Sequence, residues 1–208
     1  VEHLRTLCNI NSGVLLRQFN DCCPAVSWSA VDYTKNHKAP YYYAKRFFSN
    51  QLVAAVAESV KQKKGRGSQI ALPGFKVIKD TNQPITAVLK CRLISLNGTN
   101  IDEITFPVML NPFSYSGILK LPKIFSSPPE PDKTCLFIAV EKNNQIVAEN
   151  LYFYVPDKYI DWPELKVNTA IHQTEKTRWK LTFNSNAVAR DIQIILPQNA
   201  CASDNFLS

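Results

Sequence analysis

From residue 85 onward, apolar and polar positions tend to alternate, with turn residues interrupting every ten or so positions. Residues 85–96 alternate imperfectly and are rich in β-formers, and Asn97-Gly98 follows, a strong short-range hairpin signal. Further short apolar runs occupy 104–108, 117–121, 135–141 and 150–156. This spacing predicts an antiparallel sandwich over 51–157. At 51–60 two readings stand: the alternation Leu52, Ala54, Val56 suits a first strand, whereas the alanines suit a continuing helix. Beyond Asp161-Trp162-Pro163, alternating runs at 165–171, 178–184 and 189–196 predict three strands. Trp179 alternates with Leu181 and Phe183, which makes it a core residue. Three strands are too few to close a sandwich, so 158–208 reads as the truncated start of a second one.

The first fifty residues have a different pattern. Residues 13–19 form a short apolar run that ends in Asn20-Asp21, like a buried parallel strand feeding a loop. Pro40 suits a first helical turn, and Tyr43 with Phe47 and Ala44 with Phe48 recur at helical spacing, which predicts a helix after Pro40. Strand, loop and helix make one β/α unit. A parallel strand needs covered faces and neighbours on both sides, so this section alone is expected to expose apolar surface and to aggregate, self-associate or lose local order. The start at Val1, with no apolar leader, fits an internal fragment.

Hydrophobic residues make up 45 % of the 208, enough to bury a core, and no apolar run approaches the roughly 20 residues of a bilayer span. We expect a soluble protein with no membrane partner. The net charge of +7 raises nucleic acid as a partner. Part of that excess sits in Lys61, Lys63, Lys64 and Arg66 beside Gly67-Ser68. A basic run flanked by glycine and lacking an aromatic platform for bases reads as a solvated loop, so no nucleic acid is expected. Cys8, Cys22, Cys23, Cys91, Cys135 and Cys201 lack the close pairing of a zinc site, and adjacent Cys22 and Cys23 are expected to point apart. Cys91 and Cys135 are possible neighbours on paired strands. His3, His37 and His172 stand isolated, so neither metal nor cofactor is expected. Asn97-Gly98-Thr99 is both a glycosylation acceptor and a hairpin turn.

The run Gly13-Val14-Leu15-Leu16-Arg17-Gln18-Phe19-Asn20-Asp21-Cys22-Cys23-Pro24-Ala25-Val26-Ser27-Trp28-Ser29 resembles the last barrel strand of β-mannosidases in glycoside hydrolase family 2. That family reads approximately G-x-L-x-W-Q-x-N-D-x-W-P-x-x-S-W-S there. The resemblance continues through Val31-Asp32-Tyr33, Lys38-Ala39-Pro40 and 43–48. Residues 150–156 resemble the last strand of the family's immunoglobulin-like domain, and 187–191 with 203–206 resemble its terminal sandwich. The resemblance implies a mainly β chain: immunoglobulin-like β-sandwich domains preceded by the last β/α unit of a (β/α)8 TIM barrel at 1–50. Active sites of such barrels lie at the C-terminal strand ends. Asn20 and Asp21 would then sit on the rim of a sugar pocket, with Arg17, Gln18 and Trp28 beside them.

Retaining glycosidases need two carboxyl groups about 5–5.5 Å apart, and the family takes both from earlier barrel strands. Among residues 1–50 only Glu2, Asp21 and Asp32 carry carboxylates, and none is expected to be catalytic. Two family tryptophans are replaced, by Arg17 and Cys23, which removes aromatic surface for a sugar ring. Arg17 is open to pairing with an anionic substrate group or with a barrel acid, and Trp28 to lining the pocket or plugging the barrel top. The resulting expectation is a C-terminal fragment of a retaining exo-glycosidase, inactive alone. Its parent would hydrolyse terminal β-D-mannosides of oligosaccharides; its address is left open among lysosomal, secreted and periplasmic. The missing barrel, or a second copy, would cover the exposed strand. The alternative is a non-catalytic carbohydrate-binding or structural sandwich.

Overall fold

In a computed structural model, residues 1–60, 69–197 and 200–207 are described. The basic run Lys61, Lys63, Lys64 and Arg66 lies outside them. Helices α1 (Glu2–Thr6) and α2 (Ala39–Phe47) precede strands β1 (Gln51–Val60), β2 (Gln69–Lys79), β3 (Ile85–Ser95), β4 (Asn100–Leu110), β5 (Ser114–Tyr115) and β6 (Leu119–Lys120). Helix α3 (Lys123–Ser126), strands β7 (Thr134–Lys142) and β8 (Gln145–Phe153), a 3₁₀ turn at Asp157–Tyr159 and the hairpin β9 (Val167–Glu175) and β10 (Arg178–Ser185) follow.

The protein is mainly β, and its strand pairings are antiparallel. One sheet joins β1 to β2, with β5 and β6 both on the far side of β2; the other runs β4-β3-β7-β8. Strand β3 shows why they stack. Ile85, Ala87, Leu89, Cys91 and Leu93 all point inward, and the residues between them face out. They meet Val53, Leu72, Phe75 and Val77 of the first sheet and Leu136, Ile138 and Val140 of β7 in one core. This is an immunoglobulin-like sandwich. Asn97-Gly98 turns β3 into β4, with Gly98 at φ +83°, a conformation glycine adopts without strain.

Residues 51–60 are strand, and the competing helix is ruled out by two-sided burial. Val53 pairs with Val77 toward the core, while Leu52 pairs with Ile78 on the opposite face, where α1 packs against β1 and β2. Strand β2 carries Pro73 and Gly74. At Gly74 a side chain would meet the Leu119 carbonyl oxygen at 2.5 Å, so β6 can approach only a glycine.

Three sequence expectations are corrected. Residues 13–19 form no strand; only the parallel bridge Asn20–Val31 remains, because no neighbouring strand lies beside them to complete the ladder. Residues 189–196 form no third strand. Here the Asn205 side chain takes the place of a strand partner: its Oδ1 accepts from Ile194 N (2.7 Å) and its Nδ2 donates to Ile194 O (2.9 Å). Trp179 is 57 % exposed, since β9–β10 is a two-stranded ribbon with no second layer over its apolar face. Cys22 and Cys23 are both exposed and free, and the Cys22 thiol raises the pKa of Cys23. Cys91 and Cys135 are buried on adjacent strands but stand opposite Ile138 and Ile94, and burial pushes both thiols up to about 12. Both remain free.

Leu89→Ala is expected to cost about 2–5 kcal/mol by denaturant unfolding, because it empties a fully buried site. Trp179→Ala should cost under about 0.5 kcal/mol. Equal losses would contradict the one-layer description of the ribbon.

Candidate functional site

The segment after residue 13 is organised around one carboxylate. Asp21 is buried, and its Oδ1 accepts from Ser27 Oγ at 2.6 Å while its Oδ2 accepts from Ser29 Oγ at 2.8 Å. Lys38 Nζ lies 3.5 Å from Oδ2 and donates to the Ser27 carbonyl at 3.1 Å. Gln18 Nε2 donates to the Asn20 carbonyl (3.0 Å) and reaches Asp21 Oδ1 at 3.4 Å. Hydrogen bonds from Ser27 and Ser29, with Lys38 nearby, hold the Asp21 carboxyl below its ordinary pKa. Asp21 is therefore an anionic anchor that draws 18–21, 27–31 and 38 together.

The backbone completes the junction: Val31 N donates to Phe19 O (2.8 Å) and Asp21 N to Val31 O (3.0 Å). The Arg17–Gln18 peptide is cis. Asp32 caps the next turn, accepting from Asn36 N, Asn36 Nδ2 and Thr34 Oγ1, and the Asn36 bonds lower its pKa. Helix α2 then packs beside the C-terminal segment. Arg46 donates to Asp204 and to the carbonyls of Asn205 and Phe206, Lys45 donates to the Ser203 carbonyl, and the Tyr43 hydroxyl bonds Asp191.

Of the five rim residues, Gln18, Asn20 and Asp21 are brought together. Arg17 is exposed, and Trp28 is 79 % exposed, held in solvent between the two serines that turn toward Asp21. Trp28 is thus not buried within this chain. Leu15, Leu16, Phe19 and Val26 are also exposed, so an apolar strip flanks the anchored carboxylate. The serine and lysine partners of Asp21 escaped the sequence reading; their only signal was the spacing Ser27-x-Ser29 six and eight residues on. His37 stacks on Tyr41 at 3.8 Å between ring centroids. Among the described residues, no cluster of three or more His, Cys, Asp or Glu is placed to hold a metal, and no helix is long and apolar enough to cross a membrane.

Lowering the pH removes this anchor in a defined window. The Asp21 pKa is depressed by folding, so its stabilisation is complete above the unfolded value, about 3.9, and is lost as pH falls through the lower folded value. The Val31 amide, measured by hydrogen exchange, should lose protection on acidification from pH 5 toward 2, and Asp21→Asn should abolish that acid step. Protection unchanged to pH 2 would contradict the assignment.

Residues 75–159 match the family described as a mannosidase Ig/CBM-like domain. No curated protein sequence matches. Among solved structures, the exo-β-D-glucosaminidase CsxA, described as inhibited by a glucosamine-configured castanospermine, aligns over 86 % of this chain and 23 % of its own. Its identity is 13 % and its TM-score 0.52. Another structure of Amycolatopsis orientalis CsxA, titled an exo-chitosanase, aligns over 74 % of this chain and 20 % of its own, at 14 % identity and TM-score 0.48. This chain spans less than a quarter of the length of those enzymes, and what it shares with the first is the fold.

Proposed function

We propose that this chain is the C-terminal part of a retaining exo-glycosidase whose whole form hydrolyses terminal β-D-mannosides. In this reading Gln18, Asn20 and Asp21, flanked by Arg17 and Trp28, form one rim of the sugar pocket. The observation that carries it is the match of 75–159 to a mannosidase Ig/CBM-like domain. The anchored carboxylate and the exposed strip beside it support the rim assignment, with the strip seated against the rest of the barrel.

The carboxylates of 1–50 support a non-catalytic role for this part. Retention needs a nucleophile and an acid/base about 5–5.5 Å apart. Glu2 accepts from Asn150 (3.0 Å) and Tyr152 (2.9 Å), Asp21 is occupied by Ser27 and Ser29, and Asp32 by its own turn. Each is committed to holding structure, which supports a catalytic pair drawn from outside residues 1–50.

The 208-residue chain is expected to show no hydrolysis of p-nitrophenyl β-D-mannoside, and the whole enzyme to release mannose with its β configuration kept. Asp21→Ala in the whole enzyme should lower kcat/KM on the order of 10²-fold by loosening the rim. Turnover by the 208 residues alone would overturn the proposal. A whole enzyme that cleaves β-glucosaminides and leaves mannosides intact would overturn its substrate.

A further inference from the structure

A concave surface lies at the β3–β4 turn of the sandwich, where three chain segments meet. The β3–β4 turn brings Asn97 and Thr99, the approach to β7 brings Glu130 and Lys133, and the stretch after the 3₁₀ turn brings Asp161 and Trp162. Together they line a cleft of about 680 Å³, within the range of small-ligand sites.

The segments are braced by backbone. Leu96 N donates to Lys133 O (2.8 Å), Asp161 N to Asp132 O (2.9 Å) and Ser95 N to Thr99 O (2.9 Å). Trp162 is 42 % exposed, yet its ring is held beside Phe153 at 5.5 Å between centroids, and Arg190 lies over the Phe153 ring at 5.0 Å. The indole is a fixed platform rather than a free side chain. Glu130 pairs with Lys133 at 3.4 Å on the surface, a contact weak enough to share with an incoming hydroxyl.

We propose that this cleft binds a neutral oligosaccharide, one ring laid with its C–H face on Trp162 and its hydroxyls bonded by Glu130, Asp161 and Asn97. The chemistry selects that class. Two carboxylates against one ammonium disfavour a phosphate or nucleic acid, and the polar walls disfavour a wholly apolar ligand. A sugar ring presents both an apolar face for the indole and a rim of donors and acceptors for carboxylates and amide. The site makes no use of the rim residues, so it stands or falls separately from the proposed activity.

The test titrates the whole chain with mannobiose, chitobiose and cellobiose, read by calorimetry and tryptophan fluorescence. Saturable binding of at least one, with a dissociation constant of about 1 mM, is expected. Trp162→Ala should weaken it about tenfold or more and Trp162→Phe much less, because the smaller ring keeps a stacking face. Should Trp162→Ala fail to fold, the exposed pair Glu130→Gln and Asp161→Asn serves instead, with a several-fold loss expected. No saturable binding of any of the three up to about 20 mM overturns the site, as does binding unmoved by these variants.

Discussion

Strand β1 is buried from both sides, and the placement of everything before it depends on that constraint. Val53 belongs to the sandwich core, while Leu52 and Ala54 close against Ile78 on the reverse face. A strand so covered requires a layer over its outer surface, and α1 supplies it with two charges. Arg5 donates to the Phe47 and Ser49 carbonyls and pairs with Asp80 at 2.6 Å, joining α1, the end of α2 and the end of β2. Glu2 accepts from Asn150 and Tyr152, and the Tyr152 hydroxyl also accepts from Ala55 N. Burial of the ring, and after it the Glu2 carboxylate beside it, raise the Tyr152 pKa well above its usual value, so the phenol stays protonated and donates to Glu2. The first section is thereby fastened to the sandwich.

The sequence made those parts legible whose folding is local. The alternation of β3 and the Asn97-Gly98 turn specify a hairpin by themselves, and Pro40 with its spaced aromatics specifies α2. Strand β2 was missed because Pro73 and Gly74 argue against a strand interior; they are tolerated where β2 bulges opposite Val56 and Glu58 and where β6 comes close. The run at 13–19 has a strand's composition without a strand's neighbours, and composition cannot supply them. Asp21 stood out in the sequence through the resemblance, but its partners did not. Ser27, Ser29 and Lys38 reach it through an irregular loop, which has no periodicity to betray the contact.

Among the described residues, two surfaces are apolar without a covering layer, and they differ in kind. The strip Leu15, Leu16, Phe19, Val26 and Trp28 flanks a carboxylate whose charge is already met by two hydroxyl donors and the Lys38 ammonium, so a partner surface can close on it without stranding a charge. The β9–β10 ribbon instead carries Ile171, Trp179 and Phe183 on one face of an otherwise polar pair of strands. Such a ribbon is marginal alone. It is held at its base, where Lys166 N donates to Asn186 Oδ1 (2.7 Å) and Asn186 N to Lys166 O (3.3 Å), while its tip extends into solvent.

The state of Asp21 decides what chemistry this region can contribute. A general acid must hold a proton near neutral pH, which requires a carboxyl whose pKa is raised by burial or by a neighbouring anion. Asp21 has the opposite surroundings: two hydroxyl donors, an ammonium at 3.5 Å and a lowered pKa. It stays ionised across the physiological range and has no proton to give. Acting as nucleophile would require shedding its hydroxyl donors, which also hold the loop that carries Trp28. What remains is positioning. The carboxylate fixes the serines, the serines fix the exposed indole, and Gln18 and Asn20 are set beside them. Under the proposed function this arrangement orients a hydroxyl-rich ligand and supplies no acid to the reaction.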